Sequence, residues 1–163
     1  MGDDSTNGEG GIDAQTEMTR LESVEQYLEY LRESNPYYEW LGPEVDTVER
    51  GYVRVRQPYS ERVEPPELGP STGINGGVLL TLADAVGMAA VVAQALEPVP
   101  LATTNASLSF HDGRDEAYYV EGEVIEVGST LATARVRALP ESEEGAEDPT
   151  LVATGEVTAR LFD

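Results

Sequence analysis

Asp84 is the residue whose setting most needs a chemical explanation. It interrupts residues 73–96, GINGGVLLTLADAVGMAAVVAQAL, a mostly apolar stretch with no proline. A carboxylate in such surroundings is costly unless it is paired or chemistry requires it. The same stretch opens on Gly76-Gly77, just before the apolar run. At the start of a helix, free N–H groups and the positive end of the helix dipole can hold a carbonyl or a developing oxyanion. A base and an oxyanion site are the two parts that hydrolysis of an acyl group needs.

On a helix, Gly77, Thr81, Asp84 and Met88 fall on one stripe by steps of four, three and four. Eight residues nonetheless separate Gly76 from Asp84, about 12 Å of helical rise. A reacting carbonyl needs its oxyanion donor and its water-activating base each at roughly 3 Å. One helix can hardly serve both ends of one substrate. The spacing therefore implies a site shared between chains, Gly76 from one and Asp84 from another, in an active species that is at least a dimer.

The elements that must position these residues are legible in outline. Residues 73–96 read as a helix roughly 30 Å long, buried on most of its circumference. Residues 1–18 are polar and acidic and read as a disordered tail, leaving residues 19–163 as one domain. Thr19-Arg20-Leu21-Glu22 fits a capping box, and Leu21, Val24, Leu28 and Leu31 continue at helical spacing to about Ser34. Tyr37, Tyr38, Trp40 and Leu41 form an apolar knot expected in the core rather than as a ligand wall. Residues 45–57 alternate as one strand, and residues 58–72, with four prolines, read as a long loop that could rim the site. Four strands follow, at about 101–110, 117–127, 130–139 and 151–161, with a tight hairpin at Gly128-Ser129. The order describes an α+β domain, an antiparallel sheet wrapped around a long central helix.

Composition removes many chemistries. There is no cysteine, and all ten basic residues are arginine. Thiol nucleophiles, disulfides, Cys-based zinc sites, Walker A loops and Schiff bases are therefore excluded. One histidine cannot build a His-rich metal site, and no G-x-S-x-G elbow is present. Carboxylate chemistry remains, with no metal and no cofactor expected. The net charge of −21 should repel nucleic acid and anionic membranes. Acidic excess without lysine resembles proteins of salt-in halophiles, and no signal peptide is visible, so a cytoplasmic location is expected.

The run Asn75-Gly76-Gly77-Val78-Leu79-Leu80-Thr81-Leu82-Ala83-Asp84 resembles the hot-dog-fold thioesterases of the phenylacetate-pathway (PaaI-like) type. That family shows a His-Gly-Gly turn followed seven residues later by Asp in a Leu-Ala-Asp context. The likeness extends from about Leu21 to Phe162. It implies a hot-dog fold, sites at subunit interfaces, often in tetramers, and hydrolysis of acyl-CoA thioesters, with CoA entering only as part of the small-molecule substrate. Carried over, Gly76 would polarise the thioester carbonyl. Asp84 would activate water or attack directly, and Gly77 and Thr81 would line the substrate. Thr103 or Thr104 falls where the family places a hydroxyl that orients the water.

The sequence departs from the pattern at Asn75, where the family carries His, and at Gly69, where many members have a carbonyl-binding Asn. Asn75 could supply an amide donor or only shape the turn. A non-catalytic hot-dog module that binds acyl-CoA is the alternative these departures favour; Asp84 argues against it. His111, just after Phe110, reads as a turn residue or as a contact to CoA or the acyl group, and would be the only histidine for hydratase chemistry. Arg54 with Arg56, Arg135 with Arg137, and the loop residues Arg62 and Arg114 are the cations available to CoA phosphates.

Overall fold

The computed structural model describes residues 12–66 and 72–162. Gly69, and most of the acidic tail, fall outside these residues. The elements in order are α1 (Ala14–Ser34), α2 (Pro36–Leu41), β1 (Glu44–Glu49), β2 (Tyr52–Gln57), α3 (Gly76–Ala95), β3 (Leu101–Phe110), β4 (Tyr118–Val127), β5 (Leu131–Pro140) and β6 (Ala153–Leu161), with a short 3-10 turn after β5. The six strands form one antiparallel sheet in the order β1-β2-β4-β5-β6-β3. The sheet wraps α3, the expected hot-dog architecture.

Helix α3 forms because its twenty residues include no proline and few polar side chains. By length and composition it could cross a bilayer, yet it lies packed in the sheet. Val78, Leu79, Leu82, Ala83 and Val86 meet Tyr118, Val120, Val136, Ala138 and Val157 from the middle strands. Close approach is possible because β4 carries Gly122 opposite the helix: a Cβ there would collide with the Val86 carbonyl. A second cluster joins Val24 of α1 to Val53, Ala89, Val92 and Ala93, seating α1 across the far end of α3.

Three sequence expectations change. Helix α1 starts at Ala14, not after Thr19, because Asp13 accepts from the Thr16 N–H at 3.0 Å; residues 14–18 of the expected tail are thus helical. The strand read over residues 45–57 is two strands, folded back at Arg50-Gly51 with Gly51 at φ 73°. The apolar knot is a short helix, α2, capped by Asn35 with Pro36 at its first position. Only Leu41 is buried; Tyr37 and Trp40 are each 48% exposed, so they are not core residues.

Arginines stitch the outer face of the sheet. Arg54 bonds Asp46 and Glu144, Arg137 bonds Glu121, and Arg56 grips Glu141 with two contacts of 2.6 and 3.0 Å. The Arg56 guanidinium holds the Glu141 carboxyl below its ordinary 4.5. Because the folded value lies below the unfolded one, the stabilisation is complete above the unfolded value and is lost as pH falls through the folded one. The stability difference between wild type and Glu141→Gln is therefore expected to be constant from neutral pH to about 5 and to shrink on further acidification. Denaturant titrations of both proteins across that window measure it, and an unchanging difference down to acid pH contradicts it.

Candidate active site

Asp84 lies midway along α3, half-buried, and β3 runs across it. The Thr103 hydroxyl donates to Asp84 Oδ1 at 2.6 Å. A bulge in the β3–β6 ladder between Thr103 and Asn105 sends Thr104 elsewhere: its hydroxyl donates to the Thr158 carbonyl at 3.1 Å. Thr103, not Thr104, is thus the hydroxyl partner of the carboxylate. Tyr38 of α2 stands near the same carboxylate. Burial, and then the Asp84 charge, raise the Tyr38 hydroxyl above its usual range and keep it protonated at neutral pH.

Asp84 and Thr103 open onto a cavity of about 560 Å³ between α1, α3 and the first strands. Leu28, Val55, Met88 and Val92 give it an apolar wall. Its size is that of a small-molecule site, and its convergent polar groups lie beside the carboxylate. Tyr38, which aromatic composition alone assigned to the core, is part of this wall.

At the start of α3 the geometry assigns Asn75 a structural task. Its side-chain oxygen accepts from the Gly77 N–H at 2.8 Å, and its own N–H donates to the Val63 carbonyl at 2.6 Å. Gly77 N–H is thereby occupied. Gly76 N–H has no acceptor among the described residues and is a donor open to an incoming oxygen. The Phe110 ring lies over Gly76, since a Cβ on Gly76 would come within 3.0 Å of it. Thr81 donates to the Gly77 carbonyl at 3.0 Å and shares a 3.2 Å contact with the Tyr37 hydroxyl, so it braces the first turns of the helix.

Losing the cap in Asn75→Ala is expected to cost about 1 kcal/mol of stability, which Asn75→Asp preserves because it keeps the accepting oxygen. Thermal unfolding compares the two. A fall in turnover in Asn75→Asp without loss of stability assigns a catalytic role to the side-chain nitrogen instead.

The sequence-predicted residues fall into two groups. Asp84 and Thr103 meet at the cavity; Asn75, Gly76 and Gly77 meet at the helix start, about 12 Å away along the axis by the rise per residue, and Thr81 lies between, bonded back to the Gly77 carbonyl. His111 joins neither carboxylate nor cavity. It follows β3 at the end remote from Thr103, exposed, with Nε2 at 2.7 Å from the Thr154 hydroxyl. Within one chain no His–Asp pair forms for hydratase chemistry.

The chain is similar in sequence and fold to known proteins. The sequence profile of the thioesterase superfamily matches residues 73–147, which contain α3 and β3 to β5. A presumed esterase of Halobacterium salinarum is 30% identical over 126 residues, covering 76% of this chain and 82% of that protein. A solved thioesterase-superfamily protein is 28% identical with a TM-score of 0.69, covering 89% of this chain and 99% of its own. The Escherichia coli PaaI protein, from the phenylacetic acid degradation operon, shares the fold at 14% identity and a TM-score of 0.71, over 88% of this chain and 96% of its own. A hypothetical thioesterase of Streptococcus pneumoniae solved with coenzyme A does so at 17% identity and a TM-score of 0.62, over 74% and 86%. With its hot-dog sheet, its superfamily profile over residues 73–147 and its 30% identity to the Halobacterium salinarum protein, the chain belongs to the thioesterase superfamily.

Proposed function

We propose that the chain hydrolyses acyl-CoA thioesters to free acid and CoA. The observation that carries this reading is the Asp84 carboxylate, bonded by Thr103 and opening on an apolar cavity of about 560 Å³. A purely structural carboxylate would be spent on packing contacts; this one has an oxygen to spare beside a space the size of an acyl group. The solved Streptococcus pneumoniae neighbour that holds coenzyme A supports the CoA half of the substrate.

Thr103 occupies Oδ1, leaving Oδ2 to take a proton from water as the water oxygen attacks the thioester carbonyl. The carbonyl electrons move onto oxygen, where Gly76 N–H and the helix dipole stabilise the charge. Collapse of the tetrahedral species breaks the C–S bond. The CoA thiolate leaves with the electron pair and recovers the proton held by Asp84.

The two sets of groups cannot meet on one chain, so the site is composed from two. β3 is a ten-residue edge strand that is exposed along most of its length, and such an edge invites pairing with a second copy. Phe110 at its end is 54% exposed, and Leu80 of α3 is 38% exposed. Pairing of two copies across this face would cover both and bring Gly76 of one chain toward Asp84 of the other. Tetramers of such dimers are consistent with this arrangement.

The test is thiol release from short, medium, long and aromatic acyl-CoAs in molar KCl. Release from at least one ester is expected. No release from any of them favours the binding-module reading instead.

A further inference from the structure

An anionic coenzyme meets a strongly acidic protein here, so its phosphates need a cation that the protein has not already neutralised. Among the described residues, Arg32, Arg50, Arg54, Arg56, Arg114 and Arg137 are all in ion pairs. Arg135 stands between Glu123 and Glu156 on the neighbouring strands. Arg160 stacks on Phe162 next to the inward-facing Ala159, which places it on the outer face of the sheet, opposite Asp84. Arg20 lies on the exposed face of α1. Arg62 is different. It is exposed, it forms no ion pair among the described residues, and its guanidinium lies 6.0 Å from the Trp40 ring centre.

Both members of this pair are tied to the start of α3. Tyr37, one helical turn before Trp40 on α2, meets Thr81 at 3.2 Å. Val63, next to Arg62, accepts the Asn75 N–H. The end of α2 is fixed from beneath, where buried Gln57 donates to the Leu41 carbonyl at 2.8 Å, and Arg62 Nη1 donates to the Trp40 carbonyl at 3.2 Å. The result is a held aromatic face, half open to solvent, next to a guanidinium with four of its five N–H donors still to use. It is joined through Val63 to Asn75, the residue before the Gly76 amide where a thioester carbonyl would be polarised.

We propose that Trp40 and Arg62 form the subsite for the nucleotide end of coenzyme A. The Trp40 ring stacks on the adenine and Arg62 pairs with a phosphate. The choice of ligand rests on the thioesterase reading. The pantetheine arm then runs from this platform past Tyr37 and Thr81 to the helix start, and the acyl group enters the apolar cavity of the chain that supplies Asp84.

Trp40 is the chain's single tryptophan, so its fluorescence reports this subsite without any turnover. Free CoA is expected to quench it saturably, pantetheine is not, and Arg62→Glu should weaken the CoA effect about tenfold. In kinetics, Trp40→Ala and Arg62→Glu should each raise the ratio of KM for a CoA ester to KM for the matching pantetheine ester about tenfold, with Trp40→Phe recovering part of the loss. Unchanged emission with millimolar CoA, or equal quenching by pantetheine, overturns the proposal. Quenching by CoA with no ester turned over keeps the subsite and removes the hydrolase. Turnover with an unaltered KM ratio in Trp40→Ala removes the subsite and keeps the hydrolase.

Discussion

Asp84→Asn is expected to lower kcat for acyl-CoA hydrolysis by about a thousandfold, within the range of about 10² to 10⁴ that a positioned general base supplies. The change removes the proton acceptor and keeps the shape. The amide oxygen can still accept from Thr103, whose hydroxyl now approaches Asp84 Oδ1 at 2.6 Å, so the α3–β3 contact should survive. KM for the ester should move little, because the apolar wall of the cavity is untouched. The measurement is thiol release at saturating ester, alongside far-UV circular dichroism and the sedimentation of both proteins. A mutant that folds, assembles and still turns over at more than a tenth of the wild-type rate would show that Asp84 is a structural carboxylate.

Much of the scaffold for this site is legible in the sequence, for specific physical reasons. Residues 73–96 announce α3 through apolar composition and the lack of proline, and Asp84 stands out there because nothing local could compensate it. The long strands β3 to β6 were placed within two residues at each end. The turn between β1 and β2 is hidden in the sequence because Val45, Val48, Val53 and Val55 keep an apolar rhythm across it; only Gly51 marks the fold-back. Helix α2 was hidden by its aromatic residues, although Asn35-Pro36 carries a cap followed by a first-turn proline. No sequence pattern distinguishes Thr103 from Thr104: the bulge that turns one toward Asp84 and the other toward β6 depends on how β3 pairs with a strand fifty residues later. Trp40 with Arg62 is out of reach for the same reason, being a contact between helix α2 and the loop after β2.

The shared site makes the second large prediction. Gly76 is the first residue of α3, where proline is well tolerated, and Asn75 before it has φ −50° and ψ 133°, an extended conformation compatible with a following proline. Gly76→Pro therefore deletes the N–H while leaving the helix able to start. Gly76→Ala is its control, since both add a Cβ against the exposed Phe110 ring but alanine keeps the donor. Loss of one oxyanion donor is expected to lower kcat about 10²- to 10³-fold in Gly76→Pro, with a far smaller effect in Gly76→Ala. If Gly76 of one chain serves Asp84 of the other, subunits of Gly76→Pro and Asp84→Asn can rescue each other. In a mixed dimer one site carries both lesions and the other carries neither. Random reassortment of equal amounts makes half the dimers mixed, with one intact site in two, so about a quarter of wild-type activity should return. Unfolding and refolding the two inactive proteins together, then assaying thiol release, measures this directly. Recovery near that level requires a site built from two chains; none, with mixed dimers present by mass spectrometry, confines base and oxyanion donor to a single chain.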